Sequence, residues 1–273
     1  MTKLKLGTMA SLINKPEAEL QKVHNLGLPT CQVVCWEPGR FTDELAQELL
    51  AACRAHSIEI TTLWVGMPGP TVWNLVDGPR TIGLVPDWMR AVRLQALRAG
   101  ADFAKKVGVP SIATHVGFIP EDPNDPRYMG TIDALKDIAG YCRSLDLQFW
   151  FETGQETPVT LLRAIEDIGT DNLGINLDPA NLLAYGKANP IDALDVFGKY
   201  VRGVHAKDGE YPANGRDLGR EKALGEGRVD FPRLVPKLKS LGFQGALTIE
   251  REISGTQQIE DIRRAIRLLE PLL

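Results

Sequence analysis

The chain has 273 residues, of which 44% are hydrophobic and 24% are charged, a composition typical of a globular protein with a sizeable apolar core. This excludes a disordered, collagen-like or coiled-coil chain. The 31 basic and 35 acidic residues leave a formal charge of −4, and no block of consecutive basic residues offers a stripe for a phosphate backbone. Nucleic acid is therefore not an expected partner.

The N-terminal segment and the cysteines bear on cellular location. Residues 1–13 lack the apolar region and small-residue cleavage site of an export signal. The longest uncharged run, residues 60–76, is interrupted by prolines and is interpreted as a strand followed by a loop. The four cysteines do not have zinc-knuckle spacing. We therefore predict a cytoplasmic protein with reduced thiols and no membrane partner.

Apolar runs typical of strands alternate with segments of helical periodicity along the whole chain. In chain order, strand before helix, the predicted pairs are Leu4–Met9 and Pro16–Leu26, Cys31–Trp36 and Asp43–His56, Ile58–Val65 and Pro86–Val107, Ser111–Val116 and Thr131–Leu145, Leu147–Glu152 and Pro158–Ile168, Leu173–Asp178 and Pro190–Gly198, Val201–Ala206 and Phe231–Leu241, and Ala246–Glu250 and Gln257–Leu269. Eight strand–helix units predict an α/β fold, a single-domain (β/α)8 TIM barrel over residues 1–273. An open doubly wound sheet usually has fewer strands and a glycine-rich turn where this chain has GTMASLIN.

Ionisable side chains end five of the predicted strands: His115, Glu152, Asp178, His205 and Glu250. The C-terminal strand ends of such a barrel form the active site. A charge there is costly unless it is solvated, paired or bound to a metal. A lone strand-end carboxylate is more often a helix cap, but three carboxylates and one imidazole on strands five to eight indicate a site for Mn²⁺ or a related divalent ion. His115 is interpreted either as a substrate contact or as a buried histidine under the next loop.

Other motifs are missing or weak. The sequence contains no P-loop, HExxH or GxSxG motif, so NTPases, zinc proteases and α/β-hydrolases lack their catalytic centre. The segment Gly225–Gly227 precedes a predicted helix whose N-terminus would suit a phosphate. We interpret it as a turn. The charged loop 209–226 is likewise interpreted as a solvated lid rather than a phosphate site.

Four segments resemble the sugar phosphate isomerase/epimerase family of xylose isomerase-like barrels: FETGQETP, LGINLDPANLLAYG, YVRGVHAKDG and LGEGRVDFPRLVPKLKSLGFQGALTIERE. The family includes ketose 3-epimerases, inosose isomerases and dehydratases, hydroxypyruvate isomerase and apurinic endonucleases. The resemblance implies that Glu152, Asp178, His205 and Glu250 hold one Mn²⁺ per chain, or Mg²⁺, Co²⁺ or Zn²⁺ in its place. It also implies that Glu152 and Glu250 transfer protons on either side of a cis-enediolate.

The resemblance further implies which side chains contact the substrate. His115, Glu156 and Lys207 are the expected hydrogen-bonding residues, and Trp36, Trp64 and Phe118 the expected apolar walls. Asn181 stands where ketose 3-epimerases and apurinic endonucleases usually have a histidine, which implies a changed substrate contact. Helices on the barrel exterior would allow a homodimer, as in the epimerases that the chain resembles.

The leading functional prediction is a metal-dependent sugar isomerase or epimerase that transfers a proton beside the carbonyl of a free ketose or keto-sugar. The alternative is a metal-dependent lyase or dehydratase acting on a 3-keto-glycoside or an inosose, because elimination uses the same first step. A non-catalytic sugar-binding barrel and an apurinic endonuclease are less favoured. The chain has four histidines, too few for the three-zinc cluster that the resemblance implies for such an endonuclease.

Overall fold

Eight parallel strands close into a barrel in a computed structural model that describes residues 3–273. The barrel strands are β1 Lys5–Ser11, β2 Thr30–Cys35, β3 Glu59–Val65, β4 Ser111–Thr114, β5 Gln148–Glu152, β6 Leu173–Leu177, β7 Val201–Ala206 and β10 Ala246–Ile249. Around the barrel the hydrogen-bonded order is β1-β10-β7-β6-β5-β4-β3-β2. This confirms the predicted (β/α)8 barrel, and the first two residues of its predicted span lie outside the described residues.

Helices follow the strands and cover the barrel. They are α1 Pro16–Asn25, α2 Asp43–His56, α3 Gly78–Thr81, α4 Asp87–Val107, α5 Pro126–Ser144, α6 Pro158–Ile168, α7 Pro179–Ala184, α8 Pro190–Phe197, α9 Phe231–Ser240 and α10 Thr256–Leu269. Each of the eight predicted helices overlaps one of them.

Several elements differ from the prediction. Helix α5 begins at Pro126 rather than Thr131, because the Asp125 side chain accepts a hydrogen bond from the backbone N–H of Arg127 and so caps the helix earlier. Helices α3 and α7 were not predicted. Two short strands, β8 Asp208–Gly209 and β9 Glu221–Lys222, pair antiparallel and give the loop after β7 a hairpin base.

Strand register brings the functional side chains to one rim of the barrel. Glu152 on β5 pairs with Asn176 on β6, and Asn176 pairs with Gly203 on β7. A Cβ atom at Gly203 would collide with the Asn176 side chain. Glycine at this position therefore leaves room for a polar amide inside the barrel.

Burial determines the state of the cysteine thiols. All four cysteines are unpaired, and burial raises the pKa of the Cys53 thiol to about 11 and that of Cys142 to about 12. These thiols are therefore protonated and unreactive near neutral pH. Between residues 3 and 273, no helix combines the length and apolar character that crossing a membrane requires.

Candidate metal centre

Four side chains from neighbouring strands converge at the C-terminal rim of the barrel. Glu152, Asp178, His205 and Glu250 each offer one ligand atom, and these atoms all lie within 4.8 Å of one another. Three of the four are buried, and the Glu250 side chain is 18% exposed. The residues that end predicted strands five to eight therefore form one cluster.

The two carboxylate oxygens of Asp178 have different roles. Its Oδ1 accepts a 2.9 Å hydrogen bond from the backbone N–H of Asn181 and so caps α7. The Thr153 hydroxyl accepts a bond from the Asp178 backbone N–H and donates one to its carbonyl. The other oxygen, Oδ2, is buried and has no hydrogen-bond partner. Asp178 is thus both the helix cap and an available ligand.

His205 points one ring nitrogen into the cluster. Its Nε2 lies 2.8 Å from the side-chain oxygen of Gln32 and 3.0 Å from the side-chain nitrogen of Asn176. Its Nδ1 lies 2.8 Å from Glu152 Oε1 and 3.0 Å from Glu250 Oε2, without the geometry of a hydrogen bond. Nδ1 therefore faces the centre of the cluster.

A buried amide pair supports the cluster from inside the barrel, and sequence reasoning missed it. Gln32 on β2 donates a 2.9 Å bond to Asn176 Oδ1, and Asn176 donates to Glu152 Oε2 at 2.5 Å. Both amides are fully enclosed. The available signal was a polar residue within each apolar strand, TCQVVC and LGINL. The pair orients His205 and Glu152 in the way that outer hydrogen bonds orient metal ligands.

Gln32→Met should weaken Mn²⁺ binding by about 10- to 100-fold, because loss of the acceptor at His205 Nε2 frees the ring to rotate and change tautomer. Calorimetric titration of the metal-free chain with Mn²⁺ measures this directly. The exposed Gln21→Met on α1 is the matched control. Unchanged affinity in Gln32→Met, with an unchanged melting temperature, would contradict the role given to the amide pair.

The ionisable groups of the cluster shift one another's pKa values. Burial would raise the pKa of Glu250, but Lys207 and His205 hold it well below its usual range. Burial would lower the pKa of His205, yet Glu152 and Glu250 raise it well above normal. Burial raises the pKa of Asp178, and both glutamates add to this while Lys207 opposes it. Three carboxylates surround one imidazole, and two of the ligand atoms, Asp178 Oδ2 and His205 Nδ1, have no hydrogen-bond partner. This donor set fits a divalent cation.

Lys207 lies at the edge of this cluster. Its Nζ is 3.6 Å from Asp178 Oδ2, 3.5 Å from Glu250 Oε2 and 2.6 Å from Glu252 Oε1. Burial alone would lower its pKa, but the three carboxylates raise it well above normal. Lys207 therefore stays charged beside the ligands and offers N–H donors to whatever binds there.

A cavity of about 450 Å³ opens beside the cluster. Its walls include five predicted substrate contacts, Trp36, Trp64, His115, Asn181 and Lys207, together with Trp73, Tyr185 and Leu218, which were not predicted. Burial lowers the pKa of His115, and its Nδ1 has no hydrogen-bond partner. A neutral His115 is therefore available to a ligand in this cavity.

Two predicted contacts are placed differently. Phe118 packs edge to face against Tyr185, with ring centroids 5.7 Å apart, so it supports a residue of the cavity wall. Glu156 is buried, both its carboxylate oxygens lack hydrogen-bond partners, and burial raises its pKa to about 8. Neither residue is among those lining the cavity. Their predicted contact with substrate stays a prediction.

The LGEG segment forms a turn around a carboxylate of the protein itself. Buried Asp208, next to Lys207, accepts backbone hydrogen bonds of 2.8–3.1 Å from Gly209, Gly225, Gly227 and Val229. Gly225 has a φ of +89°, and a Cβ atom at Gly227 would collide with the Asp208 side chain. The backbone amides that would suit a phosphate are therefore already occupied.

Solved structures share the fold at full length. A xylose isomerase domain protein from Planctomyces limnophilus is 36% identical with a TM-score of 0.93, covering 99% of this chain and 98% of that one. The 3-keto-D-glucoside 4-epimerase of E. coli is 16% identical with a TM-score of 0.71, covering 98% and 100%. The probable 3-DHS dehydratase AsbF of Bacillus anthracis is 15% identical with a TM-score of 0.71, covering 96% and 98%. The latter two show the fold alone.

Sequence comparisons lead to the family. An uncharacterized protein of Methanocaldococcus jannaschii is 27% identical over 177 residues, a match that covers 60% of this chain and 58% of that relative. Residues 20–272 match the family described as xylose isomerase-like TIM barrels. The match takes in all four residues of the candidate metal centre and most of the barrel. The chain therefore belongs to the xylose isomerase-like TIM barrel family.

Proposed function

We propose that the protein is a divalent-metal-dependent sugar isomerase or epimerase that transfers a proton at the carbon beside a carbonyl of a ketose or keto-sugar. One observation carries the proposal: Glu152 and Glu250, from β5 and β10, approach His205 Nδ1 from separate strands beside the 450 Å³ cavity. A pair of carboxylates at a cation site suits proton transfer to and from carbon. The 3-keto-D-glucoside 4-epimerase with the same fold supports this reaction class.

The residues of the chain divide the work. Glu152, Asp178, His205 and Glu250 would hold the divalent ion, which would supply polarisation of the substrate carbonyl and offset developing negative charge. One of the carboxylates of Glu152 and Glu250 accepts the carbon-bound proton, and the other returns a proton to the opposite face. Neutral His115 and charged Lys207 donate hydrogen bonds to substrate oxygens. Trp64 forms an apolar wall that excludes water from the reacting carbon.

The donor set also bears on the ion. Three carboxylates and one imidazole nitrogen suit Mn²⁺ better than they suit an ion that prefers thiolate ligands. Mg²⁺, Co²⁺ or Zn²⁺ are the expected substitutes for Mn²⁺. We propose one ion per chain, a small-molecule sugar as the substrate and a cytoplasmic location. The unpaired state of all four cysteines supports that location.

Elimination is the second candidate. Removal of the same proton followed by loss of a group on the β-carbon would make the protein a lyase or dehydratase. The probable 3-DHS dehydratase AsbF shares the fold and supports elimination as the second candidate reaction. Both reactions use the same two glutamates and differ in the fate of the intermediate.

Proton NMR in D₂O tests the proposal. The Mn²⁺-loaded chain is incubated with a panel of ketoses, 3-keto-glucosides and inososes, and deuterium incorporation and products are followed together. Exchange beside the carbonyl with formation of a new epimer or isomer supports the proposal. Exchange with loss of water or an aglycone assigns the protein to the lyases. No exchange with any member of the panel overturns both reactions.

A further inference from the structure

Trp36 and Trp73, here called the aromatic corner, lie at the cavity and take no part in the proposed proton transfer. Their side chains are 44% and 41% exposed, whereas the adjoining Trp64 is 6% exposed. All three line the same cavity as Glu152 and Glu250. Two large aromatic rings left open to solvent side by side forgo favourable burial, so they point to a ligand that covers them.

Four aromatic rings pack in a closed circuit beside the metal centre, in which the ring centroid of Trp73 also lies 5.4 Å from that of His115. The ring centroid of His115 lies 5.7 Å from that of Trp64, which lies 4.7 Å from that of Trp36. Trp73 meets Trp36 edge to face, with 6.2 Å between centroids and 82° between planes. The corner therefore offers two indole surfaces at nearly a right angle, which suits a flat ring stacked on one and touching the other.

The backbone that carries the corner is fixed in place. Buried Arg93 on α4 donates hydrogen bonds to the carbonyls of Pro68, Pro70 and Gly83, at 3.1, 3.0 and 2.6 Å, on both sides of Trp73. Trp36 packs so closely on Gly66 that a Cβ atom there would lie 2.6 Å from the Trp36 Cα. Rings held by a rigid backbone lose little entropy when a ligand binds.

The size of the cavity agrees with a ligand of more than one ring. Its volume of about 450 Å³ lies in the range of about 300–1,000 Å³ that encloses drug-sized ligands. We expect a single sugar at the metal centre to contact His115 and Trp64 and to cover only part of the exposed surface of Trp36 and Trp73.

We propose that the aromatic corner is an outer subsite for a second ring, so that the substrate is a glycoside of the keto-sugar rather than a free ketose. The second ring is either an aryl aglycone or another pyranose, since both present an apolar face to an indole. This inference rests on the proposed function for the sugar at the metal centre. It adds the chemical class of the group attached to that sugar.

Binding of unreactive glycosides tests the subsite apart from the reaction. The probes are methyl glucoside and phenyl glucoside in both anomeric forms, and cellobiose, none of which has the ring carbonyl that proton transfer requires. Calorimetry with the Mn²⁺-loaded chain should show about tenfold tighter binding of a two-ring probe than of methyl glucoside. A preference for phenyl glucoside identifies an aryl aglycone, and a preference for cellobiose identifies a second sugar.

Variants localise the effect. Trp36→Ala and Trp73→Ala should each remove most of the two-ring advantage, measured as the ratio of the affinity for the two-ring probe to the affinity for methyl glucoside. Trp88→Ala, which removes an exposed tryptophan on α4, should retain it. Equal affinity for all probes, no measurable binding, or an advantage that survives in both corner variants overturns the subsite. If the chain binds a two-ring probe more tightly than methyl glucoside but exchanges no substrate proton, the subsite is supported and only the proposed reaction is overturned.

Discussion

Glu250→Gln and Glu152→Gln should each lower the rate of deuterium incorporation into substrate by about 10³-fold or more, because in the proposed reaction each carboxylate both binds the cation and carries a proton. Glutamine keeps the size and one oxygen of the side chain but accepts no proton from carbon at neutral pH. The measurement is NMR exchange at saturating Mn²⁺, with the bound metal of each variant determined in parallel. Metal content separates a lost base from a lost ligand.

Glu166→Gln, on the exposed face of α6, is the control and should keep full activity. A variant of Glu152 or Glu250 that retains both its metal and its exchange rate would remove the scheme with two glutamates. His205→Ala provides a third comparison. The His205→Ala chain should fold, but it should lose both its bound Mn²⁺ and the exchange of substrate protons. The substitution removes the nitrogen ligand and leaves both proposed proton carriers, Glu152 and Glu250, in place.

Asp208→Asn should lower the free energy of unfolding by about 3–5 kcal/mol, a large loss for one isosteric substitution. Four backbone N–H groups converge on the Asp208 carboxylate, and hydrogen bonds to a charged acceptor are each worth about 1.5–3 kcal/mol. In the variant, the amide NH₂ group faces donors that it cannot satisfy. Urea or thermal unfolding followed by circular dichroism measures the loss.

Asp217→Asn is the matched control, because Asp217 is an exposed residue of the same loop and should change stability by less than about 0.5 kcal/mol. The four-bond arrangement predicts that the LGEG turn opens in Asp208→Asn and displaces the adjacent Lys207. Equal stability of the two variants would show that the turn holds its shape without the Asp208 charge.

The alternation of strands and helices was predictable because both periods are local properties of the sequence. The same is true of the cluster: Glu152, Asp178, His205 and Glu250 each follow an apolar run, and barrel geometry brings strand ends together. Helix α7 was missed for the opposite reason. It is six residues long, too short to display a helical period, and it begins at a cap that was interpreted only as a ligand.

The site roles of Gln32, Asn176 and Trp73 could not be predicted from local sequence patterns. Whether a polar residue in an apolar strand faces the barrel interior or the surrounding helices depends on register between strands, and Gln32 and Asn176 are 144 residues apart. Trp73 joins the cavity because Arg93, on a later helix, fixes its loop. Such long-range contacts leave no signal at a single position.

The candidate metal ligands lie at the ends of β5, β6, β7 and β10, which are adjacent around the barrel, and the aromatic corner follows β2 and β3 on the other side. The candidate metal centre and the proposed outer subsite thus occupy separate arcs of one sheet. Mutations that lengthen or reshape the loops after β2 and β3 leave the ligand strands in register. Descendants of one ancestor can therefore acquire new substrates while inheriting the reaction, and loop exchange between family members offers a practical route to new specificities.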